Sequence, residues 1–179
     1  MQASNTPVAE KTLWRTPREL IDAVERRYGA IDLDAAATDE HASVGMHHIN
    51  PEQDALKAQP WSIYMDRRTP VGRTLVWLNS PWGPGITKKW VERAVREVTD
   101  TDRMLHRPRA ILLLTPHTDA AWWWWAAEHA AETLHLGRVP FLRPNGEQCG
   151  SPRDWHDLHV LRPGVFHPGQ AVLSKWDWR

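Results

Sequence analysis

The segment Asn79-Ser80-Pro81-Trp82 joins an amide, a proline and a large aromatic ring, directly after a strongly apolar stretch. An Asn side-chain oxygen and a backbone carbonyl can each accept one hydrogen of an amino group, and proline fixes the turn that aims the carbonyl. The indole would stack on a base that has left its duplex. The segment predicts a site that positions an exocyclic base amine for methyl transfer, which depends more on in-line positioning than on a strong base. An ordinary strand-ending turn is the alternative interpretation.

A second strand end carries a carboxylate. The sequence Ile31-Asp32-Leu33-Asp34 is a short strand candidate, and three alanines follow it. In open α/β sheets a ligand binds beyond the carboxyl ends of the strands, so we expect Asp34 and Asn79 to lie at one edge. Without further context, the N-cap of a helix over the following alanines is the favoured interpretation of Asp34.

The elements that position these residues follow from apolar periodicity. Thr16-Pro17 predicts the start of a helix that ends at Gly29. Strands are predicted over 31–34, 46–49, 74–79, 110–114, 134–142 and 157–162, and further helices over 86–98 and 118–132. This alternation predicts an α/β doubly wound, mostly parallel sheet of about seven strands with helices on both faces. The last two predicted strands would form an antiparallel pair at one edge.

Length and composition fit one globular domain. Of 179 residues, 41% are hydrophobic and 25% are charged, so we expect a flexible lead-in over 1–13 and a single domain over 14–179. No apolar run approaches the ~20 residues that span a bilayer, and residues 1–11 lack the pattern of a secretory signal. The single cysteine, Cys149, excludes an internal disulfide. These features predict a cytoplasmic protein without a membrane partner.

Charge is unevenly distributed although the net charge is zero. Residues 1–60 carry six basic and ten acidic side chains, whereas residues 61–110 carry ten basic and five acidic ones. A basic segment beside the site would contact phosphates. A solvated helix face and loop explain the same excess equally well.

Five short motifs, in order, resemble the phage and prophage family of DNA N6-adenine methyltransferases. They are Trp14-Arg15-Thr16-Pro17, Ile31-Asp32-Leu33-Asp34-Ala35-Ala36-Ala37, Asp54-Ala55-Leu56 with Trp61, Asn79-Ser80-Pro81-Trp82-Gly83, and Leu113-Leu114-Thr115-Pro116-His117-Thr118-Asp119 with the tryptophans after it. Gly137-Arg138 with Phe141 is similar to a late strand of that family. The resemblance covers roughly residues 14–142.

The resemblance implies an S-adenosylmethionine-dependent enzyme with a class I methyltransferase fold, acting on N6 of adenine in a flipped-out nucleotide. Asp34, Ala35 and Ala36 would face the methionine end of the cofactor, and Thr16 and Pro17 would contact the same end. Asp54 would lie near the adenosine. The target base would be held by Asn79, Ser80, Pro81 and Trp82.

The chain departs from the family pattern at two positions. Ser80 replaces the first of two prolines, and alanines follow Asp34 where many methyltransferases have glycines. These departures keep two alternatives open. One is an N4-cytosine DNA methyltransferase, since similar turns serve both amines; the other is a non-catalytic DNA-binding relative on the same fold.

A polar loop is the candidate for recognition of double-stranded DNA. Residues 143–157 contain Arg143, Arg153 and Trp155, side chains that can reach base edges or stack on bases. We therefore expect this loop to contact DNA.

Tryptophans and histidines are unusually numerous. The run Trp122, Trp123, Trp124 and Trp125 covers roughly 300° of a helix at ~100° per residue, so at least one ring should be exposed unless a partner covers it. Core packing plus a homodimer contact is the preferred interpretation. The histidines show no ligand motif at zinc spacing, so the sequence predicts no metal site.

Overall fold

A computed structural model describes residues 14–38, 44, 47–57, 59–64, 73–100, 107–149 and 154–179. Its seven strands form one sheet in the order β2-β1-β3-β4-β6-β5-β7. The strands are β1 Leu33–Asp34, β2 His47–His48, β3 Leu75–Leu78, β4 Ala110–Pro116, β5 Ala130–Gly137, β6 His156–Leu161 and β7 Leu173–Lys175. The helices are α1 Arg18–Tyr28, α2 Ile86–Thr99 and α3 Ala121–Glu128, with a 3₁₀ turn at Trp61–Tyr64.

The strand pairing is mixed, with parallel pairs in the majority. β1 pairs in parallel with β2 and β3, β3 with β4, and β5 with β7. β6 runs antiparallel to both β4 and β5. The predicted fold class is therefore confirmed, including the antiparallel pair formed by the two late strands. The edge position itself is taken by β7, which the sequence did not predict.

Helices cover both faces of the sheet because successive side chains of a strand point to opposite faces. On one face, Leu20 and Val24 of α1 pack in a cluster with Trp77. On the other face, Val91 and Val98 of α2 pack with strand and α3 residues. The continuous apolar run of β4 serves both clusters, as expected for a strand that is buried on both sides.

The first helix begins and ends where the sequence predicts. Pro17 takes the N-cap position of α1, and Gly29 follows its last turn with φ of 96°, a left-handed conformation that glycine adopts at no steric cost. The Gly29 amide donates to the carbonyl of Glu25 at 2.9 Å. None of the helices in the described part of the chain is long and apolar enough to cross a membrane.

The predicted helix over 118–132 is too long and the strand after it begins too late. α3 ends at Glu128, and β5 already begins at Ala130. Ala130 and Thr133 pair with Leu161 and His159 of β6. Alanine and glutamate in this stretch favour helix, but the hydrogen bonds and burial gained against β6 outweigh that weak preference. β5 ends at Gly137, which has φ of 72°.

Candidate active site

The carboxyl ends of the neighbouring parallel strands β1 and β3 lie side by side. This side of the sheet, where the parallel strands end, is called the edge below. Asp34 lies directly opposite Trp77 in the parallel pair, and Asn79 follows the end of β3. The Ala35 amide donates to the Trp77 carbonyl at 3.0 Å, which extends the pairing beyond the strand. The structure therefore brings the regions of Asp34 and Asn79 together, as the sequence predicted from the strand ends.

The leading segment contributes Thr16 directly to this edge. Asn79 Nδ2 donates to Thr16 Oγ1 at 3.2 Å, although the two residues are 63 positions apart. Thr16 and Pro17 are buried, and Asn79 is half-buried. Nδ2 is engaged by Thr16, whereas Oδ1 accepts no hydrogen bond from the described residues, so Oδ1 is the atom of this amide that can accept one from a ligand.

The turn after Asn79 is tied to the helix that follows it. Ser80 is buried, and Pro81 and Trp82 are half-buried. The Gly83 carbonyl accepts the amides of Ile86 and Thr87 in the first turn of α2, and the Gly83 amide donates to Thr87 Oγ1 at 3.0 Å. These bonds fix residues 79–83 between β3 and α2, so the turn is held at both ends.

The three alanines after Asp34 form a tight turn. Asp34 Oδ1 accepts the Ala36 amide at 3.2 Å, and the Ala37 amide donates to the Ile49 carbonyl at 3.2 Å. Residues 35–38 are a turn and extended chain, so the interpretation of Asp34 as a helix N-cap is wrong. Ala35 is fully buried, so this turn packs closely against other residues of the protein.

The chemistry of this edge fits S-adenosylmethionine, the cofactor that the family resemblance implies. Thr38 Oγ1 and Trp82 Nε1 are buried polar atoms that have no hydrogen-bond partner among the described residues. Buried polar atoms normally have partners, so a ligand with polar groups would complete them. A carboxylate beside a turn of small residues also suits the ammonium of a methionine moiety.

Asp54 lies apart from Asp34 in the turn that follows β2. It has a positive φ of 55°, a conformation that Asp tolerates better than most residues. Its Oδ1 accepts the Leu56 amide at 3.1 Å, and its own amide donates to the Asn50 carbonyl at 3.1 Å. Its described contacts are thus within its own turn, and none joins it directly to Asp34 or Asn79.

Four aromatic rings, here called the aromatic cluster, pack together at the turn that carries Asn79, which contributes one of them: Trp14, Trp82, Phe141 and His156. Trp82 lies 5.2 Å from Phe141, edge to face, and 5.2 Å from His156 at 30°. Trp14 stacks on Phe141 at 6.2 Å. The sequence motifs included three of these residues but not His156, which the register of β6 brings to the cluster.

Two buried histidines are held neutral. Burial lowers the pKa of His156 to about 4, although Asp154, a backbone hydrogen bond to Gly137 and Asp157 oppose the shift. Burial likewise lowers the pKa of His159 to about 4. His159 lies between Thr115 Oγ1 and Thr133 Oγ1, each 3.0 Å from one ring nitrogen. In the neutral ring one nitrogen donates to one of these hydroxyls and the other nitrogen accepts from the other, so both are satisfied without a charge.

The lowered pKa of His159 predicts a loss of stability in acid. Below its ordinary pKa of 6.5 the unfolded chain binds a proton that the folded chain resists down to about 4. Stability is therefore full above pH 6.5 and falls as the pH drops toward 4, by roughly 3 kcal/mol from this residue. Urea unfolding at about pH 7 and about pH 4.5 measures the loss. His159→Gln should show a smaller loss; equal losses in both proteins would contradict the assignment.

The residues predicted to contact DNA fall in two places. Arg143 is exposed on a hairpin whose Leu142 bridges to Arg15, so this hairpin lies against the leading segment. Trp155 is 49% exposed and stacks on His135 at 4.8 Å. Arg153 lies outside the described residues.

Three side chains that the sequence did not connect meet on the face of the sheet covered by α3. His117 Nδ1 and His135 Nδ1 each lie 2.7 Å from one oxygen of Asp157. No spacing motif marks them, because they lie 18 and 22 residues apart along the chain. The pairing of β6 with β4 and with β5 brings the three side chains together.

A doubly wound sheet in which an acidic strand end, a small-residue turn and an Asn-Ser-Pro-Trp turn share one edge defines an α/β protein of the methyltransferase type. The profile of the family described as DNA N-6-adenine-methyltransferase (Dam) matches residues 3–156. The chain belongs to this family.

Two phage proteins, each called a DNA N-6-adenine-methyltransferase, are similar to the chain. That of Escherichia phage T1 is 34% identical over 136 residues, which cover 75% of this chain and 49% of the phage protein. That of Haemophilus phage HP1 is 28% identical over 167 residues, covering 91% of this chain and 86% of the relative. The chain thus spans about half the length of the T1 relative and most of the HP1 relative.

Proposed function

We propose that the chain is an S-adenosylmethionine-dependent DNA methyltransferase, formed by one domain over 14–179, that methylates N6 of adenine in double-stranded DNA. The observation that carries the proposal is the bond from Asn79 Nδ2 to Thr16 Oγ1 beside the end of β1. This bond joins Thr16, which is expected to contact the cofactor, to Asn79, which is expected to hold the base. The names of both relatives support the choice of adenine.

Each residue of the edge has a role in this proposal. Asn79 Oδ1 and the Ser80 carbonyl accept the two amine hydrogens, which directs the nitrogen lone pair at the methyl group. Pro81 fixes the turn, and Trp82 stacks on the flipped base. Asp34, with Ala35 and Ala36, holds the ammonium of the cofactor, and Thr16 and Pro17 close the same end. S-adenosylmethionine would supply the activated methyl group, and the residues of the chain would orient the base amine toward it.

The modified base distinguishes this function from its alternatives. DNA methylated by the purified protein is digested to nucleosides, and N6-methyladenine and N4-methylcytosine are measured by mass spectrometry. We expect N6-methyladenine as the dominant product. A dominant N4-methylcytosine peak would assign the chain to the cytosine enzymes, and the absence of both with intact DNA binding would favour a non-catalytic relative. An Asn79→Ala preparation controls for host methyltransferases that copurify.

Binding of the cofactor is expected to depend on Asp34 far more than on Asn79. Asp34 is buried at the end of β1 and fixes the alanine turn through Ala36, so Asp34→Ala removes both the carboxylate and the turn's hydrogen bond. We expect at least a ten-fold loss of affinity, since a charge-assisted hydrogen bond contributes about 1.5–3 kcal/mol. Titration calorimetry with S-adenosylmethionine measures it. Equal losses of affinity in Asp34→Ala and Asn79→Ala would contradict the assignment of Asp34 to the cofactor and of Asn79 to the base.

DNA recognition is proposed for Arg143, Arg153 and Trp155. The exposure of Arg143 and Trp155 supports this assignment, as does the hairpin's bridge to the segment that carries Thr16. If the substrate is the DNA of a bacterial host, the protein acts in the cytoplasm. Binding of a duplex that is unchanged in an Arg143→Ala, Arg153→Ala double variant would contradict the assignment.

A homodimer through the tryptophan run is a separate proposal. Trp124 is 45% exposed while Trp123 is buried, so the expectation that one ring of the four faces solvent is confirmed. Phe166 and Leu173 are also more than half exposed. Apolar surface of this kind is typical of a contact between chains. A monomer in sedimentation velocity at micromolar concentration would contradict the dimer.

A further inference from the structure

Asp157 of β6 gathers two histidines around one carboxylate. His117, which follows β4, approaches Oδ2, and His135 of β5 approaches Oδ1, both through Nδ1 at 2.7 Å. One ligand atom from each of the three residues lies within 4.8 Å of the others. Two imidazole nitrogens and one carboxylate oxygen are thus brought together from three separate elements.

The surroundings hold the carboxylate and leave the rings accessible. The side chain of Asp157 is only 2% exposed, whereas that of His117 is 52% and that of His135 is 27% exposed. Trp123 Nε1 donates to Asp157 Oδ2 at 2.9 Å. A ligating carboxylate is commonly anchored by such a second hydrogen bond. The exposed side of His117 leaves room for water to complete a coordination sphere.

We propose that His117, His135 and Asp157 bind a divalent transition-metal ion of the zinc type. Neutral imidazole with one carboxylate is a ligand set that Zn²⁺ accepts, with water in the fourth position, whereas Mg²⁺ and Ca²⁺ prefer oxygen ligands. If the ion binds through Nδ1, the ring proton moves to Nε2 and both rings remain neutral. The sequence-based prediction of no metal rested on spacing along the chain, which does not detect ligands from separate strands.

The ion's place in the fold indicates a structural role. The His117 amide donates to the Trp155 carbonyl at 2.7 Å, and the Trp155 ring stacks on His135. An ion held by both histidines would therefore fix Trp155 against the sheet. The roles proposed for Asp34 and Asn79 in methyl transfer do not require this ion. Only the link from Trp155 to DNA rests on the proposed function; the metal site does not.

Metal titration of the whole protein tests the site. The protein is stripped with a chelator, and Zn²⁺ is titrated by calorimetry, with Co²⁺ absorption reporting on ligand geometry. We expect one ion per chain and a Co²⁺ spectrum of four-coordinate type. His117→Ala should lower the affinity by more than about ten-fold, since loss of even an outer ligand partner costs 10–100-fold. His117 is the suitable position because its exposed ring can be removed with little effect on packing.

Two further variants make the result decisive. Asp157→Asn keeps an oxygen acceptor for Trp123 but removes the ligand charge, and it should also weaken Zn²⁺ binding. His167→Ala removes a half-buried histidine from the segment after β6 and should leave binding unchanged. Circular dichroism confirms that each variant is folded.

The proposal is overturned if the parent chain binds Zn²⁺ no better than His117→Ala, which would make the cluster a hydrogen-bonded network only. Equal weakening by His167→Ala would overturn it as well, because binding would then be distributed over surface histidines. Failure of the proposed function is separate: a protein that forms no methylated base still gives a readable Zn²⁺ titration. Conversely, loss of Zn²⁺ binding in His117→Ala with unchanged S-adenosylmethionine binding supports a site distinct from the cofactor edge.

Discussion

Asn79→Ala is expected to lower the rate of adenine methylation by at least about 10²–10³-fold, the effect of removing one preorganised polar group from an active site. Asn79 is held by the end of β3 and by the hydrogen bond to Thr16, so Oδ1 is positioned before the base arrives. Alanine leaves the amine with one acceptor instead of two. Steady-state transfer of labelled methyl groups from S-adenosylmethionine to duplex DNA measures the loss.

Two measurements separate a catalytic loss from a structural one. Asn79→Ala should unfold at the same urea concentration as the parent and bind S-adenosylmethionine with similar affinity. Asn79→Asp keeps an oxygen acceptor at the same position and should retain more activity than the alanine variant. If Asn79→Ala turned over at near-parental rate, the amine would be held by other groups, and the role assigned to the turn would be withdrawn.

Local signals in the sequence were sufficient for the elements that carry this site. β3 is an apolar run that stops at Ser80-Pro81, and α1 is bounded by Pro17 and Gly29. Each of these signals acts within a few residues and reflects a steric property of proline or glycine. The shared edge of Asp34 and Asn79 follows from the geometry of parallel strands. The proximity of Asp34 and Asn79 could therefore be predicted before the fold was known.

Elements set by tertiary pairing could not be predicted in the same way. The segment from Ala130 to Thr133 has helix-forming residues, yet it pairs with β6. β7 consists of three exposed residues, Leu173, Ser174 and Lys175, which carry no apolar alternation. Both cases are decided by a neighbouring strand that is distant in sequence, so no local pattern reports them.

The same limit applies to side chains whose partners come from other elements. His159 would pass for a core or surface histidine in the sequence, but its ring bridges Thr115 and Thr133 on two different strands. The number of basic residues over 61–110 also overstates the basic surface. It includes Arg93, which is buried and engaged, so part of the apparent basic surface is not available to DNA phosphates.

Arg93 and Glu97 form a buried ion pair on α2 that fastens the segment carrying Asp54. The two side chains are 5% and 1% exposed and are joined through Nη1 and Oε1. Arg93 also donates to the carbonyls of Ala55 and Gln59 at 2.9 and 2.6 Å. Glu97 Oε2 accepts the Trp61 amide at 3.1 Å. Together these bonds hold Ala55, Gln59 and Trp61 against α2.

Glu97→Ala is expected to lower the free energy of unfolding by about 3–5 kcal/mol, the cost of breaking a buried pair from one side. The variant leaves the Arg93 charge without its carboxylate and the Trp61 amide without its acceptor. Urea unfolding followed by circular dichroism measures the change. The matched control is Glu92→Ala on the same helix: its pair with Lys88 is exposed, with 3.6 Å between the charged atoms, and such pairs contribute at most about 1 kcal/mol.

A double variant distinguishes the pair's charge from its position. Arg93→Met with Glu97→Leu removes both charges and fills similar volume, so it should be less destabilised than Glu97→Ala, because no buried charge is left unpaired. It should still lose the bonds to Ala55, Gln59 and Trp61, and the 50–64 segment should become more susceptible to proteolysis than in the parent. Should Glu97→Ala prove no more harmful than Glu92→Ala, the pair would have to be solvated in solution, and the segment would be held by the packing of Trp61 alone.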